Sequence, residues 1–322
     1  MSAATMTAAD SLSGPIRWGV IGAGALGGLY GAMLARSGQE VHFLFNSDAE
    51  HVRRHGLRID SKLGDFHLAE VNVHDHAATM PACDVTIVAL KTTNNHLLSD
   101  LLPPPTRQDG VVLCLQNGLH VERDSAAVVG ENRVLGGCCF LCSNKVGPGH
   151  IRHLDYGRIV FGEYAIAGEG VSPRVQSIAA QMRSAGIDAV ETGNVAAARW
   201  RKLMWNIPFN GLSVALDAST PHLIGFGPCE SLASAIMHEV HGAAAACGIA
   251  LPDDAVETTL RHTREMVPYD SSMRLDYLAG RPMELNAIFA APLAAAQAAG
   301  YAMPRVEMLH QQLQSLENRR SG

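Results

Sequence analysis

The chain has 322 residues, a formal net charge of −6 and an isoelectric point near 6.2; 47% of it is hydrophobic and 17% charged. That length accommodates one large or two medium domains, each with a core of its own, and the composition is that of a globular chain rather than a disordered one. The acidic balance gives no electrostatic reason to bind nucleic acid or an anionic membrane, and no apolar run reaches the roughly 20 residues that cross a bilayer.

Residues 1–15 are small and polar, without the basic start and apolar centre of a signal peptide, so they read as a tail on a cytoplasmic protein. Ile16–Ile21 is a strand candidate that leads into Gly22-x-Gly24-x-x-Gly27. A helix over Leu26–Arg36 and a second strand over Val41–Phe45 follow. This strand–turn–helix–strand order is the context that a dinucleotide fingerprint requires. In it Gly22 allows the tight turn, Gly24 lets backbone approach a pyrophosphate, and Gly27 lets helix and strand pack closely. The phosphates then lie on N–H groups at the helix start, around Ala25 and Leu26.

Further strands are expected at Val85–Leu90, Val111–Leu115 and Arg133–Phe140, with helices at Asp48–His55, His96–Leu101 and Val121–Val128. Near-continuous apolar strands alternating with helices predict a doubly wound parallel sheet. Leu57–Asp60 with Phe66–Val71 reads as one hairpin insertion. His150–Leu154 with Arg158–Phe161, turning at Asp155-Tyr156-Gly157, reads as another. Seven cysteines, an odd number, argue against a disulfide framework, and Cys138, Cys139 and Cys142 read as small buried strand residues. The histidines are scattered, and no metal site is expected.

From about Val195 the texture changes to Ala-rich and helical. Helices are predicted at Ala196–Asn206, Glu230–Cys247, Asp253–Met266, Ser271–Ala279, Met283–Ala299 and Pro304–Glu317, the last two suited to packing internally or across a homodimer. The reading is therefore an NAD(P)-binding Rossmann domain over 16–193 and a helical domain over 194–322, with a small substrate held where the helical domain meets the carboxyl ends of the strands.

Lys202, Asn206 and Asn210 stand at i, i+4 and i+8, one polar stripe on a greasy helix that Pro208 is expected to kink. Ser271 or Ser272 can cap the helix after it, and Glu284 stands near a helix start, where a carboxylate is favoured. Lys91 in Ala89-Leu90-Lys91-Thr92 and Asn117 in Gln116-Asn117-Gly118 lie just past buried strands, where cofactor and substrate meet in such sheets.

In this order, the pieces resemble the ketopantoate reductase (2-dehydropantoate 2-reductase) family from about Ile16 to Glu317. The carrying motifs are G-A-G-A-L-G-G at Gly22–Gly28, A-L-K-T at Ala89–Thr92, Q-N-G at Gln116–Gly118, W-R-K-L-x-x-N-x-x-x-N at Trp200–Asn210, and S-S-M followed by Glu284. The resemblance implies a Rossmann domain and a helical domain like that of 6-phosphogluconate dehydrogenase. It also implies NADPH-dependent reduction of a 2-oxoacid in pantothenate synthesis. Under it Lys202 is the catalytic lysine and Glu284 holds the substrate hydroxyl. Asn117, Asn206, Asn210 and Ser272 bind substrate. Gly22, Gly24, Ala25, Leu26, Gly27, Asn46, Lys91 and Asn117 bind cofactor.

Asn46 stands where many members carry an arginine for the adenosine 2′-phosphate, with Asp48, Arg53 and Arg54 close behind in sequence. NADP(H) is expected ahead of NAD(H). The family's further substrate-site asparagine falls at Thr220, and Asn286 replaces a common Asp. The alternatives are a related reductase or hydroxyacid dehydrogenase with another substrate, and a nicotinamide-sensing protein without catalysis.

Overall fold

The near-continuous apolar runs become the middle of one sheet in the computed structural model, which describes Leu12 and residues 14–164 and 170–321. Its strands are β1 (Arg17–Ile21), β2 (Glu40–Leu44), β3 (Leu57–Ser61), β4 (Phe66–Leu68), β5 (Asn72–His74), β6 (Cys83–Val88), β7 (Thr106–Cys114), β8 (Val134–Gly147), β9 (His150–Glu163) and β10 (Ala189–Glu191). They lie in the order β4-β3-β9-β8-β7-β6-β1-β2-β5, with β10 also on β9. The central pairs are parallel and covered on both faces, which is why their residues are apolar without alternation. The predicted parallel, doubly wound architecture is borne out, with antiparallel pairing confined to β3–β4 and β8–β9.

The helices of this part are α1 (Ala25–Arg36), α2 (Ala49–His55), α3 (Leu98–Leu101), α4 (Glu122–Val129) and α5 (Pro173–Ser184). A Cβ on Gly28 of α1 would sit 2.3 Å from Ile151 Cδ1, so α1 lies close under β9. The second predicted hairpin is not one. β9 runs straight through Asp155-Tyr156-Gly157, and the reversal comes earlier, between Gly147 and His150. Leu141 faces Tyr156 and Phe140 faces Arg158, so Gly157 (φ 130°) is a bulged extra residue. The turn-like composition serves a bulge instead.

In this part of the chain the short strands β5 and β10 escape sequence reading, as does the twelve-residue α5, whose start is capped by Ser172 with Pro173 in the first turn. Most of residues 1–15 lie outside the described residues. Of those that are described, Leu12 and Gly14 offer their carbonyls to Ser177 Oγ (2.5 Å) and Gln181 Nε2 (2.7 Å) on α5.

The remaining helices are α6 (Val195–Ala215), α7 (Thr220–Gly225), α8 (Gly227–Ala246), α9 (Ala255–Glu265), α10 (Ser272–Leu278), α11 (Ala291–Ala298) and α12 (Pro304–Ser321). α6 does not end at Asn206 as expected but continues through Pro208 to Ala215. A proline inside a helix costs about 3 kcal/mol. Ile207, Phe209 and Leu212 are all buried on this stretch, and burial contributes roughly 1.5–3 kcal/mol for each such side chain, so packing wins. The helix predicted from Met283 begins at Leu285 and contains one π-helical turn, Asn286–Ala290, before α11.

The chain forms two compact units. The first holds the sheet and its helices up to Val195; the second holds everything from Ala196 on, together with the short segment Asn117–His120. Each has its own apolar core, one around Trp18, Phe43, Ile59 and Phe161, the other around Met204, Phe209, Met237 and Phe289. Among the described residues no helix is long and apolar enough to cross a membrane.

Candidate active site

In the first unit, β1 stops at Ile21 and the chain turns through Gly22 at φ 95°, with Gly24 N–H donating to Gly22 O over 2.8 Å. A Cβ on Gly22 would lie 2.4 Å from the backbone nitrogen of Leu90, so no other residue fits. A Cβ on Gly27 would lie 2.4 Å from Gly22 O and 3.1 Å from Val20 Cγ1, which makes it the helix–strand contact expected of it. Gly24 differs. A Cβ there would meet nothing within 4 Å, so packing does not explain the glycine, and backbone is left open to close approach from outside. The first turn of α1, with Ala25 and Leu26, carries no acidic side chain to compete for an anion at its N–H groups. These features fit a dinucleotide pyrophosphate.

Lys91 is close by, because Ala89 N–H donates to Ile21 O at 2.8 Å and carries the exit of β6 past the glycine turn. Its backbone is held by a residue to which sequence reading assigned no role. Gln116 Nε2 donates to Leu90 O (2.9 Å) and to Asn95 Oδ1 (2.6 Å), and Asn95 Nδ2 in turn donates to Asp124 (2.6 Å).

Asn46 and Ser47 are exposed at the exit of β2. Asp48 is buried. It accepts from Ser47 Oγ (3.0 Å) and Gly149 N (3.0 Å) and pairs with Lys145 Nζ (2.6 Å). Burial pushes its carboxyl up, but Lys145, the Gly149 N–H and Ser47 together hold it below the usual carboxylate range. Arg53 pairs with Asp75, and Arg54 with Glu50.

In the second unit, the stripe Lys202, Asn206 and Asn210 lies on α6 as its spacing requires. Asn206 is 4% exposed and Asn210 1%. Asn206 Nδ2, Asn210 Oδ1 and Asn117 Oδ1 are buried, and none has a hydrogen-bond partner. The same is true of Thr220 Oγ1, at the residue where the family resemblance places an asparagine. An unpaired buried polar atom costs about 1–3 kcal/mol, so these four atoms add no stability through hydrogen bonds within the protein.

The structure decides between the two serines. Ser271 is the cap of α10, accepting from Arg274 N (3.2 Å), and is fully buried. Its hydroxyl lies 2.8 Å from that of Ser213, which donates to Asn210 O at 3.0 Å. This hydroxyl pair ties the start of α10, and so Ser272, to the stripe. Ser213 was missed in the sequence, although it sits one helical turn beyond Asn210.

Glu284 is buried just ahead of the helix start at Leu285, and its carbonyl accepts from Ile288 N (3.1 Å). The segment carrying Asn117 packs on the same stretch. Leu119 N–H donates to Ala287 O (2.9 Å), and Gly118, at φ 114°, passes so close that a Cβ would be 2.5 Å from that of Ala287. One ammonium, one carboxylate, three amides and two hydroxyls are thus carried in the second unit, a donor and acceptor set suited to a small polar anion. Among the described residues no group of three or more His, Cys, Asp or Glu side chains could hold a metal, and no disulfide forms among the seven cysteines, which are all described.

A family model described as ketopantoate reductase PanE/ApbA matches residues 18–165, and one described as its C-terminal part matches residues 194–317. The chain belongs to the ketopantoate reductase family. It is 47% identical over 305 residues to the 2-dehydropantoate 2-reductase of Nostoc sp., covering 94% of this chain and 96% of that one. Its fold matches the crystal structure of 2-dehydropantoate 2-reductase from Geobacter metallireducens with a TM-score of 0.89 and 41% identity, over 93% of this chain and 99% of the other. The corresponding structure from Methylococcus capsulatus gives 0.85 and 36%, over 95% and 98%. This is a family of NAD(P)-dependent oxidoreductases acting on a CH–OH group.

Proposed function

We propose that the chain reduces ketopantoate (2-dehydropantoate) to pantoate with NADPH, a step of pantothenate and coenzyme A biosynthesis. Family membership supports the reaction class. The observation that carries the reading to these residues is the set of unpartnered buried atoms on Asn117, Asn206 and Asn210, on the stripe that bears Lys202 and on a segment packed beside Glu284.

NADPH would supply the hydride; Gly22, Gly24, Ala25, Leu26 and Gly27 would hold its pyrophosphate, Asn46 its adenosine ribose, and Lys91 and Asn117 its nicotinamide half. Addition of hydride to C2 of the oxoacid leaves negative charge on the carbonyl oxygen. Lys202 stabilises that charge and donates the proton that completes the hydroxyl. Glu284 accepts from the substrate's other hydroxyl and fixes which way the molecule lies. Asn206, Asn210 and Ser272 supply the donors and acceptors that the carboxylate and carbonyl require.

NADP(H) is preferred over NAD(H) in this reading. Support comes from Asp48, whose oxygens are engaged by Lys145, Gly149 and Ser47, leaving no carboxylate at the exit of β2 to take a ribose 2′-hydroxyl. The reading places the chain in the cytoplasm with its cofactor and substrate. Nucleotide oxidation with a panel of 2-oxoacids tests it. Ketopantoate with NADPH is expected to give the highest kcat/KM; a different oxoacid turning over while ketopantoate does not would overturn the substrate assignment and leave the family intact.

A further inference from the structure

We propose that Lys145, reaching in from β8 and held by Asp48, reads the adenosine 2′-phosphate of NADP(H). This rests on the dinucleotide reading above. In a Rossmann site the end of the second strand meets the adenosine ribose, through a carboxylate for a free 2′-hydroxyl or a cation for a 2′-phosphate. At the exit of β2 here, Asn46 and Ser47 carry no charge. Asp48 is 5% exposed, and both its oxygens are taken within the protein. The cation that remains is Lys145, its ammonium 2.6 Å from Asp48 and its side chain 36% exposed.

The path of β8 supports the assignment. The ladder is regular from Ser143, opposite His153, to Lys145, opposite Ile151. Ser143 and Lys145 therefore share one face of the strand. Ser143 Oγ donates to Ala25 O at 3.2 Å, which puts that face on the first turn of α1, inside the glycine fingerprint. Two residues later the same face delivers Lys145 to the exit of β2. One strand thus runs from the phosphate end of the dinucleotide track to its ribose end. The nearby arginines are engaged elsewhere, Arg53 with Asp75 and Arg54 with Glu50. The Asp48 pairing gives the ammonium a fixed position, and it sets the cost of losing the cation: without Lys145, a 2′-phosphate would face a lone carboxylate.

The test is calorimetric binding of 2′,5′-ADP and of 5′-AMP to the full chain, so that no turnover is needed. The wild type is expected to bind 2′,5′-ADP at least about tenfold more tightly than 5′-AMP, as a charge-assisted contact warrants. Lys145→Met should bring that ratio to about one or below, and Lys145→Arg should keep most of it. Lys145→Gln, which keeps a polar side chain without the charge, is the second variant if Lys145→Met does not fold, and it should behave as Lys145→Met does. A wild-type preference that survives in the uncharged variants overturns the assignment of Lys145 alone. A wild type with no preference overturns the NADP reading with it.

Discussion

The two units differ in how they hold buried polar groups. In the first, the side chains of Glu163 and Arg174, each 8% exposed, are bonded twice to one another (2.8 and 2.5 Å); Ser172 and the Asn132 carbonyl take up more of their capacity. Asp48 and His153 are likewise surrounded by partners. In the second unit Glu239 follows the same rule, accepting from the backbone of Arg305 and Val306 at the start of α12. Asn117, Asn206, Asn210 and Thr220 do not. The function proposed above takes the unpaired atoms of these four residues as arranged for something that binds.

The largest effect expected of that division is on catalysis. Lys202→Ala should lower kcat by about a thousandfold, the scale of a lost proton donor and charge stabiliser, with NADPH affinity, read by nucleotide fluorescence, nearly unchanged. Equal loss of both would return Lys202 to a structural role. In the first unit the cost should appear as stability. Glu163→Gln leaves Arg174 charged and buried, and should cost about 3–5 kcal/mol in denaturant unfolding. A cost below 1 kcal/mol would break the contrast from that side. Glu284→Ala is expected to raise the KM for ketopantoate roughly tenfold or more, as loss of a hydrogen bond to a charged group does, with a smaller change in kcat. Unchanged constants would remove Glu284 from the site.

A smaller effect is expected from pH. Burial holds the imidazoles of His74, His153 and His310 below their ordinary value of 6.5. Below pH 6.5 the unfolded chain then binds more protons than the folded one, so stability is full above that pH and declines as pH falls through it. Thermal melts should show a lower Tm at pH 5.5 than at pH 7.5. His153→Gln should flatten the profile; a profile just as steep would take His153 out of the account.

Much of this was legible in the sequence because it rests on local rules. Gly22, Gly24 and Gly27 sit in a strand–turn–helix context, and Lys202, Asn206 and Asn210 share a helical face by spacing alone. What escaped depends on partners distant in the chain. Asp155-Tyr156-Gly157 has the composition of a turn, and only the register of β8 against β9 makes it a bulge. Pro208 reads as a kink and the predicted helix stops at Asn206, and only burial of the neighbouring side chains carries α6 to Ala215. Nothing local shows that Asn117 packs with the segment of Glu284, that Ser213 braces Ser271, or that Lys145 reaches Asp48 across almost a hundred residues of sequence.

The most direct test uses Asn206→Leu and Asn210→Leu, which keep nearly the same shape and remove the amides. Thermal melts of each are to be taken without ligand and with pantoate. If the unpaired amides exist for the substrate, the ligand-free Tm should hold or rise, because nothing in the protein loses a partner at the orphaned atom, and the upward shift caused by pantoate should vanish. A ligand-free Tm that collapses, with the pantoate shift retained, would show that the asparagines serve the fold and contradict the account.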